Sequence, residues 1–175
     1  AGDDRFYDSY NMSNVLIGGP GDDVYIFPDS TFDDEIVEDV DGGNDTIDFS
    51  RNSRGVSVRL VYNPEGPLIA DDGVRQVRGF GQVIENVSGS NYNDRIIGNH
   101  LDNRLVGGRG DDILEGGPGD DTYVFEDVPD GETENDEVRE VDEAGSFDTL
   151  TFATLSAETG MVHISASGET GLAVH

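Results

Sequence analysis

The chain has 175 residues, of which 34% are hydrophobic, and a formal net charge of −28, a length that allows one domain with a modest core. It holds no cysteine, which excludes a disulfide framework and a thiolate zinc site. Lysine is absent, so ten arginines face 38 carboxylates; nucleic acid or an anionic membrane surface would be repelled at every approach.

Such acidity lies toward disordered composition, but a periodic apolar residue runs through the chain and argues for an ordered core. The chain opens inside a repeat, Ala1–Tyr7, in which Asp4 and Phe6 hold the two recurring places. This start implies a fragment of something longer, and no signal peptide is visible at Ala1. Asp8 is an extra residue, expected to shift Asp4 out of register with the next full copy. Ser9–Ile17 is a worn copy with Asn14 sixth and Leu16 eighth, and Gly18–Ile26 is a full one, GGPGDDVYI, with Asp23 sixth and Tyr25 eighth. A half-copy, VDGGNDTID, carries Asp45 and Ile47. Residues 1–50 therefore read as a short roll that includes the acidic stretch Asp29–Asp41.

Residues 51–88 read as a wider coil. Val56, Val58 and Leu60 alternate with Ser57 and Arg59, the pattern of a half-buried strand. Tyr62–Gly79, with Pro64 and Pro67, reads as a long surface loop. From Gly89 to Val124 four nine-residue units follow without a gap: GSNYNDRII, GNHLDNRLV, GGRGDDILE and GGPGDDTYV. Their sixth places are Asp94, Asn103, Asp112 and Asp121; their eighth places are Ile96, Leu105, Leu114 and Tyr123. A half-copy, EAGSFDTLT, adds Asp148 and Leu150 and closes a second roll over 89–152. In the remainder, 153–175, Met161–Ser165 is expected to add a last strand and Ala166–His175 is unpatterned. No stretch approaches the roughly 18 apolar residues needed to cross a bilayer.

Nine residues of this kind make a turn and a strand. Glycine is needed where φ is positive and where carbonyls crowd a central point. The three residues after the sixth place form a short strand whose middle side chain points inward. Two units make a coil of 18 residues, and coils stack at about 4.8 Å. The fold class expected is all-β, an elongated parallel β-roll forming a single domain. Stacking places Asp94 against Asp112 and Asn103 against Asp121. Carboxylates facing a gap lined by carbonyls suit calcium, which takes six to eight oxygens at about 2.3–2.6 Å, better than magnesium. Zinc or copper would want His or Cys ligands.

Catalytic motifs are missing. The turns lack the lysine of a phosphate-binding loop, no G-x-S-x-G elbow is present, and His100, His163 and His175 are scattered. No EF-hand loop occurs, so calcium rests on the roll alone. The chain is read as non-enzymatic, although a parent protein could be an enzyme.

These units resemble the RTX family, the haemolysin-type calcium-binding repeat with consensus G-G-x-G-x-D-x-U-x, where U is a large apolar residue. In that family one turn supplies its second and fourth carbonyls and its sixth side chain. The turn above supplies its first and third carbonyls and its own sixth side chain. The resemblance implies a site from the carbonyls of Ser90 and Tyr92 with Asp94, and of Gly107 and Arg109 with Asp112. A second would use Asn99 and Leu101 with Asn103, and Gly116 and Pro118 with Asp121; neutral Asn103 makes it the weaker of the two. A third would join Gly117, Gly119 and Asp121 to Glu143, Gly145 and Asp148. A fourth would join Gly19, Gly21 and Asp23 to Val40, Gly42 and Asp45. The last two pairs are 27 and 22 residues apart, so those coils carry insertions. Asp130 lies 18 residues after Asp112 and is a candidate cap on that side.

The resemblance further implies a secreted, extracellular module that folds on calcium after type I export, as part of a larger exoprotein. A competing expectation is a calcium-dependent module for an anionic polysaccharide. Its contact would be the one locally positive stretch, Arg51, Arg54, Arg59, Arg75 and Arg78. The alternative for those arginines is that they neutralise neighbouring carboxylates in surface pairs, which contribute little.

Overall fold

The computed structural model describes residues 2–9, 11–39, 42–60, 68–79, 83–126, 134–140, 146–152, 161–166 and 173–174. Strands alternate with turns throughout. In the first half they are β1 (Arg5–Tyr7), β2 (Val15–Ile17), β3 (Val24–Ile26), β4 (Asp34–Val37), β5 (Thr46–Asp48), β6 (Ser57–Arg59), β7 (Leu68–Asp71) and β8 (Gln76–Arg78). In the second half they are β9 (Asn86–Ser88), β10 (Arg95–Ile97), β11 (Arg104–Val106), β12 (Ile113–Glu115), β13 (Thr122–Phe125), β14 (Asn135–Glu140), β15 (Thr149–Phe152), β16 (Met161–Ala166) and β17 (Ala173–Val174). No helix among the described residues is long and apolar enough to cross a membrane.

Apart from β6, β7 and β8, which share a sheet, successive strands fall alternately into two sheets. One has the order β1-β3-β5-β9-β11-β13-β15-β17; the other has β16-β14-β12-β10-β6-β7-β8-β4-β2. Nearly all pairings are parallel. A strand of three residues offers few ladder hydrogen bonds, so each coil leans on the coils above and below. In the nine-residue block the partners are 18 residues apart, as with Ile96 against Leu114 and Leu105 against Tyr123. This is the all-β parallel roll that the repeat predicts.

The eighth place forms the core. Leu16, Tyr25, Ile47, Ile96, Leu105, Leu114, Tyr123 and Leu150 are buried, and Phe6 packs partly buried against Tyr25 with its ring stacked at 5.1 Å. Val56, Val58 and Leu60 are buried around β6 as their alternation predicts.

The structure corrects several expectations. The span Tyr62–Gly79 is not simply a loop. Within it β7 and β8 pair antiparallel, β7 also pairs antiparallel with β6, and β8 joins β4 in parallel. Residues 61–67 lie outside the described ones. The sequence hides this meander because Leu68–Asp71 is too short to show alternation, and the nearby prolines read as loop. Ala166–His175 contains β17, which pairs with β15. Asp8 does not shift the register: β1 pairs with β3 in step, Phe6 against Tyr25. The extra residue is absorbed between β1 and β2, where Asp8 is buried against Arg75.

The meander puts three strands in one sheet opposite a direct β5–β9 contact in the other. The wider interior there is filled by large side chains, among them Phe27 and Phe49, stacked at 5.4 Å. The Arg75 guanidinium lies over both rings, 5.1 and 5.7 Å from their centroids. It bonds Asp8 at 3.2 Å and the Pro28 carbonyl at 2.8 Å, with Asp72 at 3.7 Å. Two carboxylates and a carbonyl compensate the charge of this buried cation, although its second terminal nitrogen has no hydrogen-bond partner.

Candidate metal centre

In the nine-residue units each strand follows its sixth-place residue, so stacking the strands stacks those side chains into two columns, one per row of turns. In the first, the Asp4 N–H donates to Asp23 Oδ1 at 2.7 Å, Asp23 to Asp45 at 2.9 Å and Asp45 to Glu85 at 2.8 Å. Further along, Asn103 donates to Asp121 at 2.8 Å and Asp121 to Asp148 at 3.0 Å. In the second column, Asn14 donates to Asp34 at 2.9 Å, Val56 to Asp94 at 2.7 Å, Asp94 to Asp112 at 2.8 Å and Asp112 to Asp136 at 3.0 Å. One oxygen of each carboxylate thus anchors the neighbouring coil.

In five of these aspartates the other oxygen is left over, whereas Asp94 Oδ2 accepts from the Ser90 N–H at 2.5 Å. Oδ2 of Asp23, Asp34, Asp45, Asp112 and Asp121 is buried with no hydrogen-bond partner. A buried, unpartnered carboxylate oxygen is costly unless something positive meets it. Burial, the largest effect, pushes Asp112 up to about 8, with Asp94, Asp136 and Glu134 adding repulsion. Burial likewise raises Asp45 and Asp121 to about 7, and Asp94 and Asp136 to about 6.

Carbonyls close the gaps between turns. A side chain at Gly108, where φ is +99°, would strike the Ser90 carbonyl oxygen, and one at Gly119, where φ is +135°, would meet the Leu101 carbonyl oxygen at 2.5 Å. One at Gly89 would strike the Gly107 carbonyl oxygen, and one at Gly98 that of Gly116. Asn99 presents its carbonyl oxygen 2.6 Å from the Cβ position of Gly117. The glycines leave these gaps open for an ion to meet oxygens from both turns.

The structure brings together Asp94 with Asp112, Asn103 with Asp121, Asp121 with Asp148, and Asp23 with Asp45, the last two pairs despite their long insertions. Asp4 meets Asp23 through its backbone while its side chain is exposed. Tyr92, Arg109 and Pro118 stand in the turns beside Asp94, Asp112 and Asp121, as do Gly19, Gly21 and Gly42 beside Asp23 and Asp45; Val40, Glu143 and Gly145 lie outside the described residues. So does Asp130, and the partner of Asp112 on that side is Asp136.

Sequence reasoning missed Asp34, Asp136, Glu38, Glu85 and Glu140, because insertions carry them out of the nine-residue phase. A five-residue signal, D-E-[IV]-x-E, recurs at 34–38 and 136–140 and could have found four of them. The fifth place also takes part. Asp22 accepts from the Asn44 N–H at 2.9 Å, Asp102 from Asp120 at 2.9 Å, Asp111 from Asn135 at 2.8 Å and Asp120 from Phe147 at 2.8 Å. These exposed carboxylates lace coils together on the outside of the turns.

The arginines divide. Arg75 is 1% exposed, so it cannot meet an external anion; that expectation is corrected. Arg54 pairs with Asp72 at 3.4 Å and Asp29 at 3.9 Å, and Arg78 with Asp33 at 3.9 Å. Arg51 lies 5.6 Å over the Tyr7 ring, and Arg59 is exposed on β6.

A parallel roll whose turns stack buried carboxylates beside backbone carbonyls has the groups that could hold a cation. Residues 101–127 match the family model of the RTX calcium-binding nonapeptide repeat (4 copies), so the chain carries that repeat, one that binds calcium. No curated protein matches the chain.

Proposed function

We propose that this chain is a non-catalytic module of a larger secreted protein, and that it folds when extracellular calcium fills its turns. The observation that carries the reading is the set of buried Oδ2 atoms without hydrogen-bond partners, those of Asp23, Asp112 and Asp121 lying beside the first glycine of their own turns. Calcium would join these oxygens to the carbonyls of the turns and cancel repulsion that a chain of net charge −28 otherwise bears. Binding free energy then becomes folding free energy. Modules for extracellular calcium bind at roughly 10⁻⁴–10⁻³ M, so the chain would stay loose in a calcium-poor cytosol and close after export. The arginine stretch offers less support for a polysaccharide contact, since Arg54, Arg75 and Arg78 are taken up by the protein's own carboxylates.

Circular dichroism against calcium, with magnesium as control, tests the reading. A cooperative gain of β-structure is expected in the millimolar range or below with calcium, and little with magnesium. A chain fully folded in chelator would overturn it.

A further inference from the structure

The two long coils differ from the nine-residue coils in one respect. In the sheet that contains β2 and β4, Ile17 pairs with Val37, so Glu38 stands one coil above Gly18, the first glycine of a turn. In the second roll Leu114 pairs with Val138, and two residues on Glu140 stands above Gly116. Both glutamates therefore occupy the place of a turn's first glycine, which offers only backbone. Each stands in the same row of turns as the aspartates beside it. One carboxylate oxygen from each of Asp23, Glu38 and Asp45 lies within 4.8 Å of the others, and so does one from each of Asp121, Glu140 and Asp148.

Glu38 is held in place by its own contacts. Its Oε1 accepts from the Tyr25 hydroxyl, and its Oε2 from the N–H groups of Gly19 at 3.1 Å and Asp39 at 3.2 Å. In the second roll Tyr123 takes the matching place, its hydroxyl accepting from the Gly116 N–H at 2.7 Å. Asp23, Asp45 and Asp121 are at most 1% exposed, and each has an Oδ2 without a hydrogen-bond partner. Three carboxylates this close, at least two of them buried in each cluster, repel strongly unless a cation joins them.

We propose that these clusters, Asp23–Glu38–Asp45 and Asp121–Glu140–Asp148, are a second class of calcium site that fills before the two-carboxylate gaps of the nine-residue turns. The inference rests on the calcium reading above and adds the ligands Glu38 and Glu140 and an order of filling. The charge count sets the order: the gap between Asp94 and Asp112 has two carboxylates, and that between Asn103 and Asp121 has one. More ligand charge means tighter calcium binding in a site of given shape. Tyr25 is a positioning residue for the first cluster, since its hydroxyl donates to Glu38 from inside the core.

Isothermal titration of the full chain with calcium tests this. The wild type is expected to show two tight equivalents, then a weaker class. E38Q and E140Q should each lose one tight equivalent; the double variant should lose both and fold only at calcium at least about tenfold higher. E35Q, on the exposed face of β4, should keep both. If a glutamine variant does not fold even in excess calcium, Y25F decides: the three carboxylates remain but Glu38 loses its hydroxyl partner, so one tight equivalent should weaken several-fold. Two tight equivalents unchanged in E38Q and E140Q, or in Y25F, would overturn the proposal while leaving calcium-driven folding intact. A wild type that binds no calcium would remove the underlying reading instead.

Discussion

A single side chain shows how narrowly the turns are specified. Asn103 holds a place where most turns carry aspartate, and its amide works in two directions. Its Oδ1 accepts from the Asn99 N–H at 2.7 Å, and its Nδ2 donates to the Glu85 carbonyl at 3.0 Å. Aspartate there would strengthen calcium binding toward Asp121 but turn an oxygen against the Glu85 carbonyl. N103D should therefore fold at a lower calcium midpoint than wild type and melt higher in saturating calcium. An unchanged midpoint and melting temperature would contradict this. The buried aspartates also set a pH dependence. Asp112, Asp45 and Asp121 sit at about 8, 7 and 7, against an ordinary value of 3.8. Raised carboxylate values mean that protons stabilise the ion-free fold at low pH, and that this support fades as pH rises from about 4 to about 8. Calcium needs the ionised form, so protons and calcium compete. The calcium midpoint of folding should fall by about tenfold or more between pH 6 and pH 8, with proton release on binding near neutrality. A midpoint that rises with pH would refute it.

Among elements, legibility followed phase. The strands of the nine-residue block, their inward residues and the pairs Asp94–Asp112 and Asn103–Asp121 could be read from period alone, because nothing interrupts the count between them. Asp121–Asp148 and Asp23–Asp45 were also legible, since glycine-rich half-copies mark the far turns. Glu38 and Glu140 were not, because a glutamate in a glycine's place looks like a broken repeat. The meander of β6, β7 and β8 was hidden for another reason: antiparallel pairing inside a parallel roll leaves no periodic trace. Arg75 is its clearest surprise. By sequence it belongs to a cationic surface stretch, yet β7 and β8 carry it into the wide coil, where it supplies positive charge to Asp8 and Asp72. Burial, with Asp34 nearby, raises Asp8 to about 6 even though Arg75 lowers it. R75M keeps the bulk and removes the charge, and should cost about 3–5 kcal/mol by leaving both carboxylates uncompensated. Thermal unfolding in saturating calcium checks this, since no ion in the turns should rescue the variant; wild-type stability would show the cluster to be dispensable.

For the whole molecule, the two rolls are one stack, since β5 and β9 pair directly, Ile47 against Val87. Each coil buries a thin line of apolar side chains and presents carboxylates at both edges, so its core and its charge pull in opposite directions. Positive charge from within comes from a few arginines, and the remainder is assigned here to ions in the turns. The decisive measurement is anomalous diffraction from a crystal of the full chain grown in millimolar calcium. The account predicts an ion between Asp94 and Asp112, and one within each of the clusters Asp23–Glu38–Asp45 and Asp121–Glu140–Asp148. Ordered turns without anomalous density at those three places, in a chain folded as described, would contradict it.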